Sequence, residues 1–327
     1  MAAGRILYMN FQNLEYFLTV AEEGNITRAA ERLRISQQAL SGQISRLESE
    51  LGCELFTRRG RLELTYSGKC LQHSAEQILD IKRQTVSVID DANRNKRGEL
   101  RVGISYTRGQ AILPKILPEF GRLYPYAEIS IFEGSTEKME DDLDKGRIDI
   151  LIGFAPFLLE TAEYMPLIRE KMYLVAQKDL LQGYFGERTE EVLSVCRKSP
   201  DVTAFREIPF VLLKKGDRIR SLVDQEFTLR GMDPVIKLET ANIQTAFCLA
   251  AEGIGLTVCP EMYLNSGYIV SGIPDSDLRK RVEILPFFRE DVTDTIAIGY
   301  NRSRYLSHMA RDFIELSTQK FSREDPF

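Results

Sequence analysis

The sequence is poor in the residues that build metal sites, disulfide frameworks and membrane spans. Its 327 residues include two histidines and five cysteines, and the cysteines form no C-x-x-C pair. Neither a zinc site nor a disulfide framework is therefore predicted. No stretch carries about 18 consecutive apolar residues, and MAAGRILYMNFQ lacks the basic start and apolar run of a signal peptide. We expect no membrane span and a cytoplasmic location.

The chain also lacks the residue patterns of an enzyme. Two isolated histidines supply no catalytic triad, no G-x-x-x-x-G-K-[ST] motif occurs, and the G-x-G at Gly253 and Gly255 follows a predicted helix rather than a strand. We predict no enzyme, no cofactor and no metal. The net charge of -5 excludes a histone-like chain but not a local basic patch that binds nucleic acid.

Three short amphipathic segments open the chain. Apolar residues at spacings of three and four predict a first helix over about 13–23, which ends at Gly24. Thr27 is the predicted N-cap of a second helix and Ser36 that of a third. The residues predicted to lie in the core of these helices are Leu14, Phe17, Leu18, Ala21, Ala29, Ala30, Leu33, Leu40, Ile44, Leu47 and Leu51.

The third segment, ISQQALSGQISRLESEL, has an outer side of small polar residues. Two short helices, a tight turn and a helix with free Gln, Ser and Arg side chains are typical of a helix-turn-helix, and such side chains contact base edges and phosphates. On this helix alone, a plain solvated surface remains the alternative. Gly42 costs roughly 1 kcal/mol against alanine inside a helix, which indicates that something approaches its backbone closely. The following LFTRRGRLELTYSG predicts a two-stranded wing.

The run NLEYFLTVAEEGNITRAAERLRISQQALSGQISRLESELGCELFTRR resembles the winged helix-turn-helix of LysR-type transcriptional regulators. The shared pattern is L-x-x-F, T-x-A-A, S-Q-x-A-L-S and E-x-x-L-G-x-x-L-F-x-R, over about sixty residues. The chain departs from it at Gln38, where members often have proline, and at Gly42, where many have arginine. The resemblance therefore implies the docking mode but not the base preference. The implied DNA-binding residues are Thr27, Ser36, Gln37, Gln38, Ser41, Gln43, Arg46, Arg58, Arg59 and Arg61.

A long helix is predicted next, from Ser67 to about Asn95, because this stretch has no proline and no glycine after Gly68. One stripe of residues recurs every three or four positions. This stripe could pack on its own chain, whereas the resemblance implies that it pairs with a second copy in a dimer. The residues assigned to that dimer are Leu71, Ile78, Ile81 and Val88.

Strands and helices alternate through the rest of the chain, which predicts a parallel sheet with helices on both faces. Two such units in tandem predict two lobes, with a crossover at 166–180 and a return at 281–300. This order resembles the effector-binding domain of the LysR type, itself similar to periplasmic binding proteins. The predicted fold class is α/β with an N-terminal winged helix-turn-helix. The predicted domains are 10–66 (DNA-binding), 67–97 (linker helix and hinge) and 98–320 (effector-binding, with lobe I about 98–167 and 297–320, and lobe II about 168–296).

A ligand cleft is expected at the carboxyl ends of the strands, where α/β sheets place their ligands. Hydroxyl groups at helix N-termini attract anions and Arg108 can pair with a carboxylate, so an anionic effector is one expectation. Ordinary helix caps and a solvated arginine remain the alternative. The residues assigned to the cleft are Ser105, Tyr106, Thr107, Arg108, Ser135, Thr136, Phe154, Asn242 and Gln244.

The segment 182–208 is longer than LysR-type members usually have, and EEVLSVCRK within it predicts a helix. Its role is open, and redox sensing through Cys196 is a minor alternative because only Arg197 and Lys198 would lower the pKa of that thiol.

The predicted function is ligand-responsive regulation of transcription. The expected partners are double-stranded DNA at an interrupted palindrome, a small-molecule effector, a second or further copy of the chain in a dimer or tetramer, and RNA polymerase. The alternatives are a DNA-binding module fused to an α/β enzyme, and an architectural DNA-binding protein without an effector.

Overall fold

The computed structural model describes residues 9–57, 62–93, 97–265, 280–288 and 294–322. The chain divides into two compact units, of which the first holds Met1–Asn95 with Lys145–Arg147 and the second holds the remainder. Among the helices in these described ranges, none combines the length and apolar character needed to cross a membrane.

The first unit is a cluster of helices around a small apolar core. Phe17 lies at its centre, fully buried, with its ring centroid 5.4 Å from that of Phe56. The predicted helix end at Gly24 is confirmed, since this residue has a φ of 55°. The helices are α1 (Phe11–Glu23), α2 (Ile26–Leu33), α3 (Gln37–Leu51) and α4 (Tyr66–Ala92).

Side-chain caps set where these helices begin. Ser36 caps α3, as predicted, by accepting the N–H of Ala39 at 3.2 Å. The prediction that Thr27 caps α2 is wrong. The cap is Asn25, whose side chain accepts the N–H groups of Thr27 and Arg28. Asparagine is at least as good an N-cap as threonine, so the helix starts two residues earlier and Thr27 lies inside it.

The segment between α3 and α4 is held by a buried carboxylate. Glu48 accepts the N–H groups of Leu55 and Phe56 at 2.8 and 3.3 Å. Phe56 and Leu64 then form an antiparallel bridge, as expected at the base of a wing. The predicted tip arginines, Arg58, Arg59 and Arg61, lie outside the described residues.

The predicted apolar stripe on α4 has a covered half and an exposed half. Leu71 and Ile78 pack against the core of the first unit, so this half of the stripe is covered within its own chain. In contrast, Ile81 and Val88 are 63% and 44% exposed. The part of α4 that is open to a partner therefore begins near Ile81.

The main sheet of the second unit has five strands in the order β2-β1-β3-β10-β4. The first three strands run parallel, but β10 is antiparallel to both neighbours. The predicted parallel sheet is confirmed for β1, β2 and β3, but β10 departs from it, because this returning strand lies between β3 and β4 and runs in the opposite direction. The strands are β1 (Arg97–Ile104), β2 (Tyr126–Glu133), β3 (Ile150–Phe154), β4 (Ala162–Glu170) and β10 (Asp294–Asn301).

The other strands of the second unit form two small sheets. One is antiparallel with the order β8-β5-β9, and the other is a parallel pair of β6 and β7. The strands are β5 (Met172–Gln177), β6 (Phe210–Leu213), β7 (Ile236–Thr240), β8 (Thr257–Pro260) and β9 (Val282–Pro286).

Eight described helices of the second unit pack on these sheets. Within the long segment 182–208, the predicted helix is confirmed as α8, and Cys196 in it is buried. The helices are α5 (Tyr106–Leu123), α6 (Thr136–Asp144), α7 (Lys178–Phe185), α8 (Thr189–Lys198), α9 (Arg218–Leu229), α10 (Ile243–Ala251), α11 (Glu261–Asn265) and α12 (His308–Ser322).

Candidate DNA-binding surface and ligand cleft

Helix α3 has one buried side and one open side. Leu40, Ile44 and Leu47 are buried in the core of the first unit. The opposite side is exposed and carries Gln37, Gln38, Gly42, Ser45 and Arg46. This open side contains amide, hydroxyl and guanidinium groups, which are the donors and acceptors needed in a major groove.

Gly42 lies on this open side with free space around it. A Cβ atom added there would meet no described atom of the protein within 4 Å. The glycine is therefore not required by packing within the described part of the chain. The backbone of α3 at Gly42 is therefore open to the approach of an external surface.

Two other predicted DNA contacts already have intramolecular partners. Arg46 forms an exposed pair with Glu50 at 3.3 Å, which is worth at most about 1 kcal/mol and can be exchanged for a phosphate. Gln43 is half-buried, and its Oε1 accepts a hydrogen bond from Nδ2 of Asn13 at 3.2 Å. Ser41 is also half-buried and lies beside Gly42.

The predicted cleft residues of the large sheet lie at one edge. In the parallel register, Ile104 of β1 pairs with Glu133 of β2 and with Ile152 of β3, so the carboxyl ends of the three strands coincide. Predicted residues follow or end each strand there: Ser105, Tyr106, Thr107 and Arg108 after β1, Ser135 and Thr136 after β2, and Phe154 as the last residue of β3.

Arg108 is buried rather than solvated, with 4% of its surface exposed. Its guanidinium donates to Glu170 Oε2 at 2.8 Å and to Ser105 Oγ at 3.1 Å, and it lies 3.8 Å from the centroid of the Phe154 ring. Because Glu170 neutralises its charge inside the protein, Arg108 is committed to a structural ion pair. Its Nε has no hydrogen-bond partner among the described atoms.

A second arginine joins α9 to the five-stranded sheet across the same ring. Arg218 begins α9, after β6, and its guanidinium lies 5.4 Å from the Phe154 centroid. It also approaches Asp294 of β10 at 3.6 Å. The Arg218 side chain is 42% exposed, so this guanidinium, unlike that of Arg108, is open to a ligand.

The carboxylates beside these arginines are held in an unfavourable environment. Burial raises the pKa of Glu170, and the charge and hydrogen bond of Arg108 only partly offset it. Burial also raises the pKa of Asp294, against the opposing charges of Arg218 and Arg108. Both carboxylates therefore depend on their arginines to remain ionised.

The remaining predicted cleft residues lie at helix starts. The Ser135 hydroxyl accepts the N–H of Lys138 at 3.4 Å. Asn242, after β7, caps α10 by accepting the N–H groups of Gln244 and Thr245.

Glu170, Arg218 and Asp294 were not predicted from the sequence. The signal for Glu170 was a charged residue in the crossover segment PLIREKMYLV, but its partner could not be read from the sequence.

Two family models match most of the chain. A family model described as "LysR substrate binding domain" matches residues 93–322, and one described as "Bacterial regulatory helix-turn-helix protein, lysR family" matches residues 11–69. The HTH-type transcriptional regulator ClcR of Pseudomonas putida is 33% identical over 258 residues, which cover 77% of this chain and 83% of ClcR.

Two further likenesses extend over nearly the whole chain. The hydrogen peroxide-inducible genes activator of Dickeya chrysanthemi is 27% identical over 324 residues, or 97% of this chain and 99% of that protein. The structure of a full-length OxyR variant from Pseudomonas aeruginosa has a TM-score of 0.65 at 26% identity, covering 96% of this chain and 95% of that one.

A helix-turn-helix with an open polar helix, followed by an α/β unit with a polar cleft edge, defines a DNA-binding transcriptional regulator with an effector-binding domain. Within that class, the chain belongs to the LysR family. The matched domains and relatives are regulators rather than enzymes, which confirms the prediction that the chain is not an enzyme.

Proposed function

We propose that the protein binds an interrupted palindrome as a dimer and changes its DNA binding when a small molecule occupies the cleft of its effector domain. The observation that carries the DNA part is the open side of α3, which lies opposite three buried core residues and has Gly42 in free space. Two copies of α3 would enter successive major grooves, about 34 Å apart. Thr27 and the wing arginines would contact phosphates.

The dimer would form through the exposed part of α4. Ile81 and Val88, with the neighbouring Val86 and Ile89, are between 44% and 63% exposed. Leu71 and Ile78 would contribute less than the sequence suggests, because they already pack against their own chain. The domain boundaries at 66 and 97 and the pairing of two dimers into a tetramer belong to the same proposal.

The effector would act on the contact that Arg218 makes between α9 and the five-stranded sheet. Arg218 is the exposed cation at the cleft edge, so an anionic effector would compete with Asp294 for it. Ser105, Thr136 and Phe154 would contact the ligand from the large sheet, and Asn242 and Gln244 from the other side. The response can be no larger than the difference in ligand affinity between the two conformations. RNA polymerase as a partner and the cytoplasm as the location complete the proposal.

Ligand binding is a better explanation than redox sensing by Cys196, Cys248 or Cys259. Burial raises the pKa of Cys196, Cys248 and Cys259. A thiol with a raised pKa forms little thiolate at neutral pH and reacts slowly with oxidants. We therefore do not assign to these three thiols the peroxide response that the name of the relative implies.

A metabolite screen by thermal shift tests the effector proposal. A ligand that binds only the folded state raises the melting temperature by mass action. Thr136→Val should remove most of that shift, since it deletes one hydroxyl at the cleft edge, and should leave DNA affinity near normal. A full response in this variant would place the ligand elsewhere. A screen in which no metabolite stabilises the protein would favour an architectural DNA-binding protein.

The DNA proposal has its own test in the salt dependence of binding. Replacing Arg58 and Arg59 by alanine should reduce the slope of log K against log salt by about 0.9 for each lost phosphate contact. Arg188→Ala, an exposed arginine of the second unit, serves as the matched control. An unchanged slope in the double variant would remove the wing from the DNA interface.

A further inference from the structure

A chain of two hydrogen bonds links the start of α1 to α3. The backbone N–H of Asn10 donates to Oδ1 of Asn13 at 3.2 Å. Nδ2 of Asn13 then donates to Oε1 of Gln43 on α3 at 3.2 Å. Asn13 is also fixed from its backbone, because its own N–H donates to the Asn10 side chain at 2.9 Å.

The chemistry of these groups sets the direction of every bond in the chain. A backbone N–H can only donate, so the atom of Asn13 that faces Asn10 must be the amide oxygen. The NH₂ group of Asn13 is thereby turned toward α3, where it needs an acceptor. Gln43 can provide one only through Oε1, so its own NH₂ group points away from Asn13.

The amide group of Gln43 therefore has a fixed orientation. A free glutamine binds adenine through two bonds, since its amide accepts from N6 and donates to N7. Gln43 has its oxygen turned toward Asn13, with one lone pair in use, so its NH₂ donors are the part of the amide that faces away from Asn13. By contrast, Gln37 and Gln38 are exposed, and no described residue holds either amide, so both can turn either way.

We propose that Asn13 is a positioning residue that makes Gln43 select an acceptor-rich base edge, guanine rather than adenine. Guanine offers two acceptors in the major groove, O6 and N7, whereas adenine offers one acceptor and one donor. This inference rests on the proposed docking of α3 in the major groove. It adds a specificity rule that involves a residue outside α3.

Replacing Asn13 by aspartate should reverse the orientation of the Gln43 amide. Oδ1 of the aspartate would still accept the N–H of Asn10, but the second carboxylate oxygen can only accept. The NH₂ group of Gln43 would turn inward to donate to it, and Oε1 would point toward the DNA. The preferred base at that position should change from guanine to adenine or cytosine, each of which carries an exocyclic amino donor.

The experiment is selection of binding sites from a randomised duplex library by the full chain. We expect the unmodified protein to prefer guanine at the Gln43 position on the order of ten-fold or more. Asn13→Asp should change the preferred base from guanine to adenine or cytosine. Asn13→Ala, which frees Gln43, should reduce the preference for guanine. Gln43→Ala should abolish it, both alone and combined with Asn13→Asp. Melting temperatures of all variants report on folding.

Each result decides the inference. An unchanged preferred base in both Asn13 variants would overturn it, as would adenine at the Gln43 position in the unmodified protein. Gln43→Ala that weakens all sequences equally would show a phosphate contact and overturn it as well. A protein that selects no sequence at all would instead contradict the proposed function, so the two failures are distinguishable.

Discussion

Polar side chains are exposed at the candidate site of the first unit and mostly buried at that of the second. On the open side of α3, small uncharged groups and one loosely paired arginine are exposed. At the cleft edge of the second unit, Arg108 and Glu170 are 4% and 2% exposed and form an ion pair. Exposed groups without strong partners are available to bind DNA. Buried, paired groups hold α5 against the end of β4 and cannot be removed singly without cost.

This difference predicts where substitutions will act. Changes at the buried pair should reduce stability first, because the partner charge remains in a low-dielectric site. Changes on the open side of α3 should leave stability nearly unaltered and change DNA binding.

The largest effect is expected from Arg108→Met, which removes the cation and leaves Glu170 buried and unpaired. The free energy of unfolding should fall by about 3–5 kcal/mol, as measured by urea titration at pH 8. Adding Glu170→Gln should recover part of that loss. Arg218→Ala is the matched control, and its partly exposed pair should cost about 1 kcal/mol or less. A loss of that small size in Arg108→Met would refute the structural role.

The same pair predicts a pH dependence with a defined sign. Burial raises the pKa of Glu170 in the folded state, so its protonated form is favoured and stability is lost as pH rises through the folded pKa. Without Arg108, the folded pKa rises further. The destabilisation caused by Arg108→Met should therefore be smaller at pH 5 than at pH 8. An equal or larger loss at pH 5 would contradict this account of Glu170.

A pair of helical glycines gives the next largest contrast. A Cβ on Gly68 would lie 2.2 Å from the carbonyl oxygen of Leu55, so Gly68→Ala should destabilise the first unit by about 1–3 kcal/mol. Gly42→Ala meets no described atom and should stabilise α3 by up to about 1 kcal/mol. Gly42→Ala should nevertheless weaken DNA binding. Tighter binding by Gly42→Ala would show that no DNA backbone approaches there.

The smallest effect concerns the start of α2. Asn25→Ala removes the cap and should cost about 1 kcal/mol in the free energy of unfolding. Thr27→Ala leaves the cap intact and should change stability little, while weakening DNA binding if its hydroxyl contacts a phosphate. Equal stability losses in the two variants would show that Thr27 also stabilises the start of α2.

Local patterns were enough to predict the helices of the first unit, because each apolar stripe and each cap is encoded within a few residues. Thr27 was misassigned because Asn25 and Thr27 are both good caps, and the choice depends on where the preceding turn ends. Similarly, Leu71 and Ile81 belong to one stripe in the sequence, and only the position of the neighbouring core separates them.

The cleft was harder to predict, since its partners are distant in the chain. Arg108 and Glu170 are 62 positions apart and meet only once β1, β3 and β4 lie in one sheet. The antiparallel course of β10, which brings Asp294 to Arg218, likewise has no local signal. Gln43 was selected from the sequence, whereas its hydrogen bond to Asn13, 30 residues earlier, needed the packing of α1 on α3.

The central claim is that the open side of α3 determines which DNA sequence is bound. Fluorescence anisotropy of the full chain on its selected site and on a scrambled duplex, with and without Gln38→Ala, tests it most directly. Gln38→Ala should lose on the order of ten-fold in affinity for the selected site and keep its affinity for the scrambled duplex. Equal losses on both duplexes, or none on either, would contradict the claim.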